Sequence, residues 1–212
     1  MRQAVLLVLL ILCAGNAWAY DFSGASKRYG IPRELLEAIS KVESGHNSLA
    51  VNRNRNGSVD LGHMQVNSDW QKSGKIEWKK LTDAEYCSYV GAWILAQELE
   101  RYQGNVWSAV AAYNTGKSVK DWEKIAETTE GERRARALIL ADKARRYSRA
   151  VYAAYVSIIS KRGERPREVW ILETKDQGRE QNPAVSSPRK NNVAPMAVMN
   201  PYGTHYKREG VF

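Results

Sequence analysis

The chain has 212 residues, 43% of them hydrophobic, which is enough for one ordinary domain with a real core and some chain to spare. Its formal net charge of +9 favours anionic partners, yet no helix-turn-helix or zinc-finger pattern supports a nucleic-acid binder. Two cysteines and three scattered histidines, with no CxxC or His/Cys cluster, argue against a metal centre or a disulfide framework.

Arg2, the apolar run Ala4 to Ala14 and the small-x-small triplet Ala17-Trp18-Ala19 read as an export signal peptide, residues 1–19, cut before Tyr20. The run is short for a membrane span. An uncleaved anchor is the alternative, and Leu12 is too bulky for lipoprotein processing at Cys13. After cleavage Cys87 is the one cysteine left, so stability falls to helix packing. The expected location is the periplasm, in association with the cell wall.

A first helix is expected from about Asp21 to Tyr29, stopped by Gly30. Pro32 opens a second, where its missing N–H costs nothing. Leu35, Leu36, Ile39 and Val42 follow the 3.6-residue period, Gly45 ends the run, and Glu43 projects from the apolar stripe in the last turn. Between Asn47 and Asp69 the pattern changes, and Asn56-Gly57 predicts a two-residue hairpin turn. Thr82-x-x-Glu85 reads as a capping box for a helix carrying Tyr86, Tyr89, Val90, Trp93, Ile94 and Leu99 and ending near Gly104. Asn105 caps the next helix, with Val106, Trp107, Val110 and Tyr113, closed by Gly116. A long helix from about Glu132 to Ser160 is expected to turn Leu138, Ile139, Tyr147, Val151, Tyr155 and Ile158 inward. Five of the six prolines lie beyond Lys161, so residues 163–212 read as a flexible basic, Pro-rich tail, within which Val169 to Leu172 is a strand or docking segment. There is no internal repeat.

A carboxylic acid on an apolar helix face is desolvated, which raises its pKa, and the negative end of the helix dipole adds to the effect. That is what a general acid acting on a glycosidic oxygen requires. Periodicity alone equally allows Glu43 to lie at the edge of the stripe and reach solvent. Seven Trp and eleven Tyr against two Phe suit sugar stacking, and suit core or half-buried surface as well.

Three strings narrow the choice: Val42-Glu43-Ser44-Gly45-His46-Asn47, then Asp60-Leu61-Gly62-His63-Met64-Gln65-Val66-Asn67, then Ala112-Tyr113-Asn114-Thr115-Gly116. Together they resemble the soluble, lysozyme-like (SLT-type) lytic transglycosylases, whose motifs are Glu-Ser-x-x-Asn, Gly-Leu-Met-Gln and Ala-Tyr-Asn. The resemblance spans roughly residues 25–155. The stretch Asn52 to Asp60 is most similar to the subgroup that accompanies conjugation and type IV or type III secretion machines. The resemblance implies a mainly α, lysozyme-like (α+β) domain over residues 20–162, with a small β-hairpin lobe and a substrate groove. It implies peptidoglycan glycan strands as substrate, no cofactor, a possible secretion-machine partner, no nucleic acid and a monomer.

Position by position, the resemblance makes Glu43 the sole acid/base. Ser44 supports the loop, Gln65 and Asn114 line the glycan site, and the Tyr113 hydroxyl orients Glu43. Gly62 permits a close backbone approach, and Met64 packs beneath the site or touches sugar. Asn52 stands where many members have a serine contacting an N-acetyl group, and Asn67 replaces an apolar residue. His63 stands where the family has Leu, as a surface substitution or a substrate contact. Asp60 is open to three readings. Its string Gly-Ser-x-Asp-x-Gly-x-x-Gln-x-Asn-Ser also resembles animal lysozymes, where the matching aspartate is a second catalytic carboxylate. It can be that nucleophile, a stabiliser of developing positive charge, or a structural residue of the hairpin. The expected activity is cleavage of the bond between N-acetylmuramic acid and N-acetylglucosamine to a 1,6-anhydro end, locally opening the wall for a secretion or conjugation apparatus. A hydrolytic muramidase using Glu43 and Asp60, and a wall-binding assembly protein, are the alternatives.

Overall fold

A computed structural model describes residues 20 and 22–165. The signal segment, Asp21, and the tail from residue 166, with its Val169 to Leu172 run, lie outside the described residues. Six α-helices, α1 (Ser23–Tyr29), α2 (Arg33–Ser44), α3 (Ala84–Arg101), α4 (Val106–Thr115), α5 (Val119–Glu127) and α6 (Gly131–Lys161), carry most of these residues. Three short strands, β1 (Val51–Arg53), β2 (Val59–Leu61) and β3 (Val66–Asn67), form one antiparallel sheet in that order. Two 3-10 helices, Ser68–Ser73 and Trp78–Thr82, lead from the sheet into α3. The expected class, mainly helical with a small β lobe, is the class observed.

Helix α2 buries Leu35, Leu36, Ala38 and Ile39 along one face, and Gly45, at φ 63°, closes it in a left-handed cap whose N–H reaches the Lys41 carbonyl. Helix α3 is apolar nearly all round and is correspondingly the buried one. Its Gly91 sits against Met64, where a Cβ would lie 2.6 Å from the methionine Cε. Helix α6 closes the domain, and its end is tied back to α2 by Arg162, which pairs with Glu34 and with Glu37 (3.0 Å).

Four local expectations need correction. The cap of α3 is Asp83, not Thr82: its carboxylate accepts from the Tyr86 N–H at 2.7 Å, while Thr82 ends the preceding 3-10 turn. Asn56-Gly57 is not a two-residue turn. Only Gly57 takes positive φ (83°), and residues 54–58 form a longer loop closed by Asn54 N–H to the Ser58 carbonyl at 2.9 Å. Leu138 and Ile139 point outward, 48% and 66% exposed. The buried face of α6 is instead carried by Ala137, Ala141 and Ala144, continuing through Tyr147, Val151, Tyr155 and Ile158. Small residues there admit close packing against α5, and reading the stripe from the larger apolar residues missed it. Helix α5 itself was not expected, although Ser118 and Asp121 form a complete capping box ahead of it.

Candidate active site

The sheet register builds one part of the site. Asn52 pairs with Asp60, and Asp60 with Asn67, so these three side chains share one face in a row across the strands. Asn54, two residues along from Asn52, joins them. Asp60 Oδ2 accepts from Asn54 Nδ2 (2.9 Å) and Asn52 Nδ2 (3.1 Å), and Oδ1 accepts from Asn67 Nδ2 (2.6 Å). Asn67 Nδ2 also donates to Ser58 Oγ (3.0 Å), and its oxygen accepts the Asp69 N–H (2.9 Å). Asp60 is thus a carboxylate held by three amides, and the residues that hold it are Asn52, Asn54 and Asn67.

A second part is the turn Gly62–Gln65 between β2 and β3. Gly62 (φ 79°) and Gln65 (φ 47°) both sit in the left-handed region, and Gln65 N–H closes the turn on the Gly62 carbonyl at 3.0 Å. Gln65 Nε2 reinforces it by donating to the Gly62 (2.9 Å) and Ala50 (3.3 Å) carbonyls. A left-handed conformation at a non-glycine residue is strained, and here the surrounding bonds hold it. The turn grips both flanking helices. Ser44 Oγ donates to the His63 carbonyl (2.9 Å), and Tyr113 Oη donates to the Met64 carbonyl (2.9 Å). The close approach expected of Gly62 is to the protein itself: a Cβ there would lie 2.2 Å from the Leu81 carbonyl oxygen and 2.7 Å from Cys87 Sγ. Met64, left between packing and sugar contact, is fully buried.

Glu43 lies where these parts meet α4 and α6. It is half-buried. Tyr147 Oη, on α6, donates to Glu43 Oε1 at 2.6 Å. Burial pushes the Glu43 carboxyl up to about 7, and the negative charge of Asp60 adds to this. The hydrogen bond from Tyr147, the nearby Asn114 amide and the positive charge of Lys143 pull the other way. Tyr113 and Tyr147 are themselves held well above the ordinary tyrosine range by burial and by the Glu43 charge, so both hydroxyls stay protonated. The tyrosine that orients Glu43 is therefore Tyr147, where the sequence pointed to Tyr113. Tyr113 supports the turn instead. Tyr147 was read only as part of the inner face of α6, and its 104-residue separation from Glu43 gives no local signal.

His63 is neither at the surface nor free to meet a substrate. It is fully buried, with Tyr20 and Phe22 against its ring at centroid distances of 4.8 and 5.7 Å. Its Nε2 lies 2.9 Å from the Ala84 carbonyl, which can only accept, so Nε2 carries the hydrogen and Nδ1 is bare. Ser40 Oγ, 2.8 Å from that Nδ1, donates to it, and in turn accepts from His46 Nδ1 at 2.8 Å. The chain His46–Ser40–His63–Ala84 thus runs in one direction, from the loop after Glu43 to the start of α3. Burial lowers the His63 ring to about 4 from its ordinary 6.5. Its neutral form thus contributes stability that is complete above pH 6.5 and is lost as pH falls towards 4. The interval is worth roughly 3 kcal/mol at most. The expected result is that wild type loses thermal stability relative to His63→Leu between those pH values. Parallel melting curves would overturn it.

Among the described residues no three His, Cys, Asp or Glu side chains gather as a metal-binding set, and no helix is long and apolar enough to cross a membrane. What the arrangement offers is acid/base chemistry. A carboxyl poised near neutrality takes a hydrogen bond from the Tyr147 hydroxyl and lies within electrostatic reach of an aspartate braced by three amides.

Comparison with known proteins identifies the family and the fold. The family model "Transglycosylase SLT domain" matches residues 21–135, a span that stops short of Tyr147. The invasion protein IagB of Salmonella typhimurium is 40% identical over 124 residues, covering 57% of this chain and 77% of that protein. The protein IpgF of Shigella flexneri is 39% identical over 121 residues, covering 53% and 78%. Among solved structures, an inactive mutant of the lytic transglycosylase Slt from Pseudomonas aeruginosa superposes with a TM-score of 0.52 at 23% identity. It covers 73% of this chain, but the chain spans only 25% of that protein's length, so this likeness speaks for the fold.

Proposed function

The chain belongs to the transglycosylase SLT domain family, and from that premise we propose that it cleaves the β-1,4 bond between N-acetylmuramic acid and N-acetylglucosamine in peptidoglycan, leaving a 1,6-anhydro end. The observation that carries the reading is Glu43, a half-buried carboxyl raised to about 7 and bonded by Tyr147. In its protonated form Glu43 gives its proton to the glycosidic oxygen as the bond to C1 breaks. The N-acetyl group of the muramic sugar, or the Asp60 carboxylate, steadies the positive charge that develops. Glu43, now ionised, takes the proton of the sugar's own 6-hydroxyl, whose oxygen closes onto C1. No water is consumed, and the internal nucleophile has the entropic advantage of proximity.

Asp60 favours a second reading. A carboxylate fixed by three amides, whose charge acts on Glu43, is the kind of group a retaining hydrolase uses as nucleophile. Mass spectrometry of digested peptidoglycan separates the two: a hydrolytic cut adds one water, an anhydro end adds none. The transglycosylase reading expects anhydro products, with Asp60→Asn slowed but active. Products that have gained water, together with near-complete loss in Asp60→Asn, establish the hydrolase.

The cellular role proposed is local opening of the wall for a secretion or conjugation apparatus, by a protein exported to the periplasm. The leader-like segment 1–19 supports export, and the likeness to a protein named an invasion protein supports service to such a machine.

A further inference from the structure

We propose that the overhanging end of α6, where Lys143, Arg136 and Arg133 form a row beside Ile139, binds the acidic peptides attached to the glycan strand and favours strands that still carry them. The inference rests on the wall-cleaving function given above and names a further part of that substrate.

Two contacts fix how α2 and α6 lie. Arg162, just past the end of α6, pairs with Glu34 and Glu37 near the start of α2, and Tyr147 donates to Glu43 near the end of α2. The two helices are therefore antiparallel. Helix α2 stops at Ser44 while α6 begins at Gly131, so about four turns of α6 run on past the acid with no α2 over them. Tyr147 marks which face this leaves uncovered. Lys143, Leu140, Arg136 and Arg133 stand one, two, three and four turns before it on the same side of the helix. Ala137, Ala141 and Ala144, to one side of the row, are buried. Leu140 is half-buried, and the three cations are exposed.

The charges of the row are uncommitted. Elsewhere on or beside α6, Arg145 pairs with Glu123, Arg146 with Asp142 and Arg162 with Glu34 and Glu37. Lys143, Arg136 and Arg133 make no ion pair among the described residues. The acid that shares their face is Glu132, in the first turn, where the positive end of the helix dipole already favours it. Ile139, 66% exposed, lies one turn from both Lys143 and Arg136. An isoleucine left in water among cations suits a ligand that offers small apolar side chains together with carboxylates.

The glycan itself offers no such charge. In the intact wall the carboxyl of the muramic sugar is taken up in the amide that carries its peptide, and the carboxylates sit on that peptide. A muramic sugar held with its C1 at Glu43 sends its peptide away from the strand at the place where the row begins. From Tyr147 to Arg133 the row runs about 20 Å, which is room for a short extended peptide. An anionic membrane would be drawn to the same charges, but it would give no reason for the row to start at the acid.

Binding to soluble strand fragments tests this, with the full chain carrying Glu43→Gln so that the fragments stay whole. One set of fragments keeps its peptides, and an amidase has stripped the other. The peptide-bearing set should bind about tenfold more tightly at low salt, since several exposed ion pairs of modest strength add up, and the margin should shrink as salt is raised. Adding Arg136→Gln and Lys143→Gln should bring the affinity for peptide-bearing fragments down to that for stripped ones. Adding Arg134→Gln and Arg149→Gln removes the same charge from exposed positions on other faces of α6 and should leave the margin in place. Equal affinity for the two sets overturns the proposal. So do equal losses from the two pairs of substitutions, which would mark general attraction to anions. The cleavage reading fails separately: a chain with Glu43 intact would then release no cut product from either set, while the preference for peptides could still stand.

Discussion

Glu43→Gln should reduce peptidoglycan cleavage by about three orders of magnitude or more while making the folded protein more stable near neutral pH. The first half follows from the role: a general acid supplies up to roughly 10⁴-fold, and here the same group must also act as the base. The amide is close in shape and keeps an oxygen for the Tyr147 hydroxyl, so the loss is chemical and not a collapse of the site. The second half follows from the titration. The carboxyl ordinarily loses its proton at 4.5 and does so at about 7 in the fold. Below pH 4.5 the group is neutral whether the chain is folded or not, and costs nothing. As pH rises through the interval the folded state must hold an acid that the unfolded chain would ionise, and above pH 7 the penalty reaches roughly 3 kcal/mol. Glutamine carries no such penalty. Thermal melts should therefore place the variant several degrees above wild type at about pH 8 and close to it at about pH 4. The stability lost to Glu43 would then be the cost of holding the acid in readiness. Near-normal digestion by the variant removes the mechanism. Equal melting temperatures at the higher pH remove the claim that Glu43 is held desolvated.

What the sequence disclosed and what it hid divide along local and long-range structure. Helix α2 and the placement of Glu43 were legible because Pro32, the 3.6-residue stripe and Gly45 all act within a few residues of one another. The amide row around Asp60 was present in the string Asn52 to Asn67. Its meaning needed the strand register, which sets Asn52 and Asn67 on either side of Asp60. Tyr147 was not legible as a site residue, because it meets Glu43 only when α6 packs back across α2 and α4, and nothing near it in sequence marks that contact. His63 misled for a related reason. A polar residue in place of Leu suggests the surface, yet Ser40, Ser88 and the Ala84 carbonyl provide partners that make burial tolerable. Alanine misled in the opposite sense, since Ala137, Ala141 and Ala144 mark the buried face of α6 more faithfully than Leu138 and Ile139 do.

Gly62→Ala should be the most damaging single methyl group in the domain, unfolding the chain or costing more than about 4 kcal/mol. Positive φ alone would not do this. Gly57, at φ 83°, has nothing within 4 Å of where a Cβ would sit, and Gly57→Ala should cost only about 1–2 kcal/mol of left-handed strain. At Gly62 the same strain is joined by a collision with the Leu81 carbonyl oxygen at 2.2 Å and Cys87 Sγ at 2.7 Å. The sulfur is a side chain that Cys87→Ala removes, but the carbonyl belongs to the backbone of the 3-10 turn leading into α3 and cannot step aside. The double variant Gly62→Ala, Cys87→Ala should therefore recover little. Any relief by backbone movement has a functional consequence. Moving Gly62 shifts the turn whose His63 and Met64 carbonyls hold Ser44 and Tyr113, and with them the walls around Glu43. A folded Gly62→Ala population should consequently show Glu43 titrating nearer its ordinary 4.5, as water reaches the carboxyl. Urea unfolding of the two glycine variants side by side decides the matter. If Gly62→Ala and Gly57→Ala lose equal stability, the turn is not wedged against α3, and the coupling between that contact and the acid at Glu43 falls with it.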